Sequence, residues 1–461
     1  MAKKNQKIKT PPQKAKSFQP RMLSFLWVIV LLGLSATFIL QMQKPNEEND
    51  KEKKKNEEKK KEKVKLSMAS WFNLSYQRET EEDMKSNSPI GKQLIPFKNQ
   101  LDYDLFDKIN VKDFVVGKEG YIFSIPWIEG YLGRNFIGEK KIEDLLQKAK
   151  AVQDTLKKKN IDLVLIYAPG KGTYCKDFLP EKFLKYPKST TNYEVFVSKS
   201  KELGLNYIDL QEYFLKLKPT AKYPLFAQFA HHWTSYGECL AIDSVIKYIE
   251  KIRNSYVAHL TIKEVLLEDK PKYRDADIIG KAKLMSAPTP STKYAFPKVA
   301  FQTRTDSKPV KVLGIGDSYY RGFLYLGAMR YAFDNGEYWY YNNKVTLSNG
   351  KSTNEVWELD LKKEIEKNNV ILILYSDGSL ANFGNGFIQN AYQLYTNPEQ
   401  YLIDSQKEKQ LSSYKKKIRN NPSLLNIAVD NAEAMHIDID SAITLNAIEM
   451  AAQQNSEKDK H

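Results

Sequence analysis

A chain of 461 residues in which 42% are hydrophobic and 12% aromatic buries at least one large core, so disorder throughout is excluded and up to about three domains are allowed. The formal charge of +15 is concentrated: residues 1–21 carry seven Lys or Arg and no acid, residues 44–65 carry ten Lys against seven acids, and together they supply +10 of it. The remaining body is only mildly basic, which argues against a nucleic-acid partner.

Residues 22–42, MLSFLWVIVLLGLSATFILQM, hold no charge over 21 positions. That matches the roughly 20 residues a helix needs to cross hydrocarbon. A cleavable signal has a core of about 7–15 apolar residues and a small-residue cleavage site, and neither fits here. Cations precede the span and a nearly balanced Lys/Glu run follows it, so residues 1–21 form a basic cytoplasmic N-terminus and the bulk of the chain faces outward. The expectation is a single-pass protein of an inner or cytoplasmic membrane with a periplasmic or extracellular body. Residues 43–66, highly charged and without an aromatic, are expected to be a flexible linker.

From residue 67 periodic elements appear. KKIEDLLQKAKAVQDTLKKKN has apolar positions at helical spacing, and IDLVLIYAPGKG is an apolar run ending in Pro-Gly, as in a strand buried on both faces. A helix near 191–203, the strand LNYIDL and the amphipathic helix TSYGECLAIDSVIKYIEKI follow. Later come strands KVLGIG, EYWYYN and VILILYS, with helical GFLYLGAMRYAF and LDLKKEIEKN between them. Alternating helix and strand predicts an α/β fold of three layers, a mostly parallel sheet with helices on both faces, over 67–397. Residues 255–310, rich in Pro, Lys and Thr, break the rhythm and are expected to be an inserted loop or small β element. Residues 398–461 are polar and helical, a C-terminal extension of two or three helices. Cys175 and Cys239 are too few for a disulfide scaffold or a paired-cysteine zinc site, and neither lies in a Cys-x-x-Cys motif. One disulfide or two buried thiols are both compatible with an outward address.

In open parallel sheets ligands gather beyond the carboxyl ends of the strands. Three such loops stand out: Ala168-Pro169-Gly170-Lys171, Gly316-Asp317-Ser318 and Ser376-Asp377-Gly378. Serine is a poor nucleophile unless a base takes its proton. Of five histidines, His461 is terminal, His259 lies in the irregular segment and His436 in the tail, which leaves His231 and His232 in FAHHWTSYGECL, just before a helix that Thr234 or Ser235 caps. The alternative is that His-His-Trp is a packed loop and Gly-Asp-Ser an ordinary turn.

Gly-Asp-Ser after a buried strand resembles the nucleophile block of SGNH hydrolases, and HHWTSYG ahead of it resembles the histidine block of the alginate O-acetyltransferase, AlgX/AlgJ-like, branch. The similarity runs from NQLDYDLFDKINVKDFVVGKEGYIF through YAPGKGTYCKDFLP to WYYNNKV and VILILYSDGSLANFGNGF. The resemblance implies an SGNH-like fold and an enzyme of acetyl esters on polysaccharide, often supplied with acetyl groups by a membrane-bound acyltransferase, with no metal or organic cofactor. Ser318 would be the nucleophile and His232 the base. The branch often has an acid two positions before that histidine, where this chain has Ala230, so a distant carboxylate such as Asp377 or Asp209, or a backbone carbonyl, would have to orient the ring. Supporting or oxyanion candidates are Asp317, Lys171, Tyr320, Arg321 and Asp377, beside the Ser318 N–H. Substrate-binding candidates are Trp233, Tyr319 and His231. Two or three of the surrounding aromatics, Trp127, Tyr131, Tyr174, Trp233, Tyr319, Tyr320, Trp339, Tyr340 and Tyr341, are expected to line a sugar groove. The competing expectation is a non-catalytic polysaccharide-binding or assembly protein on a degenerate SGNH fold.

Overall fold

The computed structural model describes residues 89–458. The span expected at 22–42 and the linker at 43–66 lie outside the described residues. Among the described residues no helix is long and apolar enough to cross a membrane.

Helix α1 (Pro89–Phe106) leads into a small hairpin of β1 (Phe114–Val116) and β2 (Ile122–Ser124), then α2 (Ile125–Leu132) and α3 (Glu139–Lys158). The sheet begins with β3 (Asp162–Ala168). It continues through α4 (Asn192–Glu202), β4 (Tyr207–Asp209), α5 (Leu210–Leu217) and α6 (Ser235–Arg253). A long antiparallel hairpin, β5 (His259–Glu268) with β6 (Tyr294–Gln302), occupies the irregular segment and pairs with itself, outside the main sheet. Then come β7 (Val312–Gly316), β8 (Glu337–Tyr340), β9 (Lys344–Thr346), β10 (Ser352–Glu355), α7 (Leu361–Glu366), β11 (Val370–Ser376) and α8 (Phe387–Thr396). Three further helices, α9 (Pro398–Asn420), α10 (Pro422–Met435) and α11 (Ile439–Lys458), end the described chain.

The seven strands run in the order β10-β9-β8-β7-β11-β3-β4. From β8 to β4 all pairings are parallel, and β9 alone runs against the others, antiparallel to both β8 and the edge strand β10. Every residue of β3, β7 and β11 is buried, which is why their sequences are continuous rather than alternating apolar runs. The period of two nevertheless sorts them. Val164, Ile166, Leu372 and Leu374 face α5 and α6 with Phe214, Ile242 and Ile246, whereas Leu163, Leu165, Ile371 and Ile373 face α3 and α8 with Leu146, Val152, Phe387 and Ile388. Each such fully buried side chain contributes about 1.5–3 kcal/mol. The SGNH-like three-layer reading therefore holds for the described body.

Some local expectations need correction. The single helix expected over GFLYLGAMRYAF is two one-turn helices, Arg321–Tyr325 and Ala328–Tyr331, because Gly327 turns left-handed at φ 85° between them. Of the two states left open for Cys175 and Cys239, the structure has buried free thiols.

Candidate active site

The parallel order β7-β11-β3 brings all three candidate loops to one edge of the sheet. The chain leaves β7 in a tight turn held by Asp317, whose buried carboxylate accepts from Tyr319 N–H (2.9 Å), Ser376 N–H (2.9 Å) and the Ser376 hydroxyl (2.6 Å). Tyr338 Oη donates to the Asp317 carbonyl at 2.6 Å. Gly314 gives this turn its room: a Cβ there would lie 2.1 Å from the Tyr320 ring. Ser318 is left partly exposed between buried neighbours.

His232 arrives from the other side of the sheet's edge. Thr234 caps α6, its Oγ1 accepting from Gly237 N–H at 3.1 Å, and its N–H donates to the Leu225 carbonyl at 2.9 Å. The residues just before this cap, 227–230, wrap the Lys171 ammonium, which donates to the carbonyls of Ala227, Gln228 and Ala230 at 2.7–2.8 Å. Tyr319 Oη donates to the His231 carbonyl at 3.0 Å. So held, His232 Nε2 lies 2.8 Å from Ser318 Oγ, and its Nδ1 lies 2.5 Å from Asp277 Oδ2. The other oxygen of Asp277 accepts the His231 N–H at 2.9 Å. A carboxylate at Nδ1 requires the proton there and leaves Nε2 as the acceptor of the serine proton. Burial, with the nearby charges of Arg274, Arg321 and Lys281, holds the His232 pKa well below its usual 6.5, so the ring is neutral at pH 7.

Arg274, three residues before Asp277, ties this acid arm to the nucleophile. Its guanidinium donates to the Ser318 carbonyl (2.8 Å) and to Glu238 Oε1 (2.7 Å), which also accepts Trp233 Nε1–H at 3.0 Å. Glu238 is buried, and burial raises its pKa to about 7 despite the guanidinium. On the open side the Tyr341 phenol lies among the side chains of Ser318 and Ser379. Tyr341 itself sits in the left-handed region at φ 49°, a strained setting for an aromatic residue.

Several expected assignments are overturned. Neither Asp377 nor Asp209 orients His232. Asp377 accepts from the Thr173 hydroxyl (2.5 Å) at the Gly170 turn, and Asp209 caps α5 and accepts from Tyr193 Oη. Burial raises Asp377 to about 7. Lys171 is no oxyanion donor, since all three ammonium protons go to carbonyls; its role is to shape the histidine loop. Tyr320 points its hydroxyl to Met329 Sδ, deep in the core. Asp317 accepts from its own turn and from Ser376 rather than facing a reacting group. Arg321 lays its guanidinium over the Tyr340 ring (4.3 Å), its charge lowers the His232 pKa, and its backbone N–H donates to the Ser318 carbonyl. The substrate-binding candidates Trp233, Tyr319 and His231 are all buried, His231 edge-on against Trp127 with ring centroids 4.0 Å apart. Of the aromatics, Trp127, Tyr131, Tyr340 and Tyr341 keep partial exposure.

The residues missed were Asp277, Arg274, Glu238 and Ser379, and Tyr341 stood only among the aromatics. The signal for Asp277 was indirect: a histidine without an acid at position 230 needs one from elsewhere, and YRDADIIG in the irregular segment supplies two carboxylates.

Residues 115–321 match the family described as SGNH hydrolase-like domain, acetyltransferase AlgX. This stretch is similar to the SGNH hydrolase-like domain of AlgX-type acetyltransferases. It contains His232, Asp277 and Ser318. Solved structures similar to the chain include the O-acetyltransferase domain of Pseudomonas putida AlgJ, at 16% identity and a TM-score of 0.38, covering 60% of this chain and 98% of that one. Pseudomonas aeruginosa AlgX is similar at 14% identity and a TM-score of 0.41, covering 63% and 70%. Bacillus cereus PatB1 is similar at 13% identity and a TM-score of 0.36, covering 58% and 96%. No curated protein matches the chain in sequence.

Proposed function

We propose that this chain is a membrane-anchored, extracytoplasmic O-acetyltransferase or acetylesterase of cell-surface or secreted polysaccharide, working through an acyl-serine at Ser318. The observation that carries this reading is the unbroken Asp277–His232–Ser318 relay inside an AlgX-type domain, at a partly exposed serine. Ser318 Oγ attacks the acetyl carbonyl while His232 Nε2 takes its proton, and Asp277 stabilises the imidazolium that forms. The Ser318 N–H and the Tyr341 phenol, which lies beside the Ser318 side chain, would receive the negative charge on the carbonyl oxygen. Collapse breaks the bond to the donor's oxygen, which leaves with the proton from His232. A sugar hydroxyl, or water, then gives its proton to His232 as it attacks the acetyl-serine, and the proton returns to Ser318 Oγ as the ester breaks. Every step is proton transfer and acyl exchange, so no cofactor is needed. The span at residues 22–42 would anchor the enzyme beside a membrane-bound acyltransferase that supplies acetyl groups.

The test is acetyl release from p-nitrophenyl acetate by the full chain in detergent. Ser318→Ala and His232→Ala are expected to lower kcat/KM by about 1000-fold or more, and mass spectrometry should find an acetyl adduct on Ser318 in the parent protein alone. Undiminished turnover in both variants would remove the mechanism and leave a non-catalytic carbohydrate-binding role.

A further inference from the structure

Away from the relay, a solvent-open cleft of about 150 Å³ lies where α9 crosses α8 and the turn after β10. Asn342, Asn343, Trp357, Asn390, Tyr401 and Glu408 are among its walls. It begins one residue beyond Tyr341, whose phenol borders Ser318, and Asn342 continues the left-handed step at φ 51°. Two successive non-glycine residues in that region carry a backbone cost of about 1–3 kcal/mol each, the kind of strain that clusters at binding sites.

The hydrogen-bonding capacity of these walls is only partly used. Asn342 Nδ2 donates to the Asn385 carbonyl (3.0 Å), but its Oδ1 is buried without a partner, a deficit that ordinarily calls for an explanation. The Asn343 and Asn390 side chains make no hydrogen bond with any described residue. Trp357 is fixed by Glu355 at its Nε1 (2.6 Å) and carries the Lys416 ammonium 5.7 Å from its ring centroid, so its orientation is set before any ligand arrives. Tyr401 stands partly exposed on α9. Fixed aromatic faces match the C–H faces of a pyranose, and amides that both donate and accept match its hydroxyls. Charge narrows the ligand: Asp404 and Glu408 outnumber Lys409 on the walls, and Lys416 is already paired with Glu358 at 2.8 Å, which opposes a uronate or a phosphate.

We infer that this cleft binds uncharged sugar units of the acceptor polymer, away from the unit presented to Ser318. The inference rests on the proposed acetyl-transfer function, and it gives the C-terminal helix α9 a task in selecting polymer over free monosaccharide.

The test uses the full chain carrying Ser318→Ala, so that no turnover intervenes. Cellohexaose, chitohexaose, mannohexaose and hexagalacturonate are titrated by calorimetry. At least one neutral hexamer is expected to bind with a Kd of about 1 mM or tighter. Adding Trp357→Ala or Asn390→Ala should weaken it about tenfold. Both variants should keep the far-UV circular dichroism of the parent, so that weaker binding reports the cleft rather than unfolding. No binding of any neutral hexamer up to about 10 mM, tighter binding of hexagalacturonate, or binding indifferent to both substitutions overturns the inference. Failure of the catalytic reading looks different: p-nitrophenyl acetate turnover would then persist in Ser318→Ala whatever the sugars do.

Discussion

Asp277 holds both His231 and His232, one carboxylate oxygen on a backbone N–H and the other on the ring Nδ1, from 45 residues along the chain. The acid arm thus comes from the connection of the β5/β6 hairpin, and that arm also carries Arg274 to the Ser318 carbonyl. Nucleophile and base are fixed at the sheet edge, while the group that sets the tautomer comes from an element outside the sheet.

Asp277→Asn keeps the size of the side chain but cannot accept from both Nδ1–H and the His231 N–H as a carboxylate does. It favours the wrong tautomer and leaves the imidazolium without its counter-charge. The expected loss in kcat on p-nitrophenyl acetate is about three to four orders of magnitude, with KM little changed. A loss below about tenfold would show that the ring is oriented by something else.

The pH dependence follows from the direction of the His232 shift. The working form is the neutral ring, and burial with the nearby cations lowers its pKa from 6.5, so kcat/KM should stay level as pH falls through 6.5 and decline only at more acidic values. His231 is shifted in the same direction, again first by burial. Between their folded and unfolded pKa values the unfolded chain binds more protons, so stability should rise with pH there and be lost as pH drops below about 6.5. A thermal-midpoint series from pH 5 to 8 together with a pH–rate profile checks both signs; an acid limb centred above 6.5 would contradict the neutral-base assignment.

The parts of this molecule that obey local rules were readable from the chain alone. Apolar runs at 162–168, 312–316 and 370–376 announce buried parallel strands, and Thr234 before an amphipathic stretch announces a capped helix, so Ser318 could be placed at a strand end and His232 just ahead of a helix. Asp277 could not, because its partnership depends on how a hairpin of irregular composition folds back, and neither periodicity nor turn chemistry encodes that. Lys171 failed for a related reason. A lysine after Pro-Gly looks solvated, and only the path of residues 227–230 around it reveals the carbonyl cage. The buried aromatics Trp233 and Tyr319 show the same limit: adjacency to a reactive residue says nothing about which way a side chain faces.

The Lys171 cage gives a further expectation. Lys171→Met matches the stem in length but leaves the carbonyls of Ala227, Gln228 and Ala230 without donors. Destabilisation of about 2–4 kcal/mol should appear in denaturant unfolding. Because the cage ends where His231 and His232 begin, activity of the folded fraction should fall as well, in kcat more than in KM. Unchanged kcat in Lys171→Met would mean that the loop keeps its path without the ammonium.

The pairing of Arg274 with Glu238 separates support from stability. Arg274→Ala removes one of the two donors to the Ser318 carbonyl, which keeps the Arg321 N–H, and strands Glu238, a buried carboxylate packed against Gly322, where a Cβ would come within 2.4 Å of its carboxyl carbon. Removing one partner of such a pair costs about 3–5 kcal/mol. Glu238→Gln alone keeps an acceptor for Trp233 Nε1–H and should cost less, since burial already raises this carboxyl to about 7. The double variant Arg274→Ala with Glu238→Gln should therefore recover much of the stability lost in Arg274→Ala, as the stranded charge is gone. It should recover turnover only in part, because the Ser318 carbonyl is then held by the Arg321 N–H alone. Measuring unfolding free energy and kcat across this cycle decides the matter: if activity returns in full together with stability, Arg274 acts on the enzyme only by neutralising Glu238.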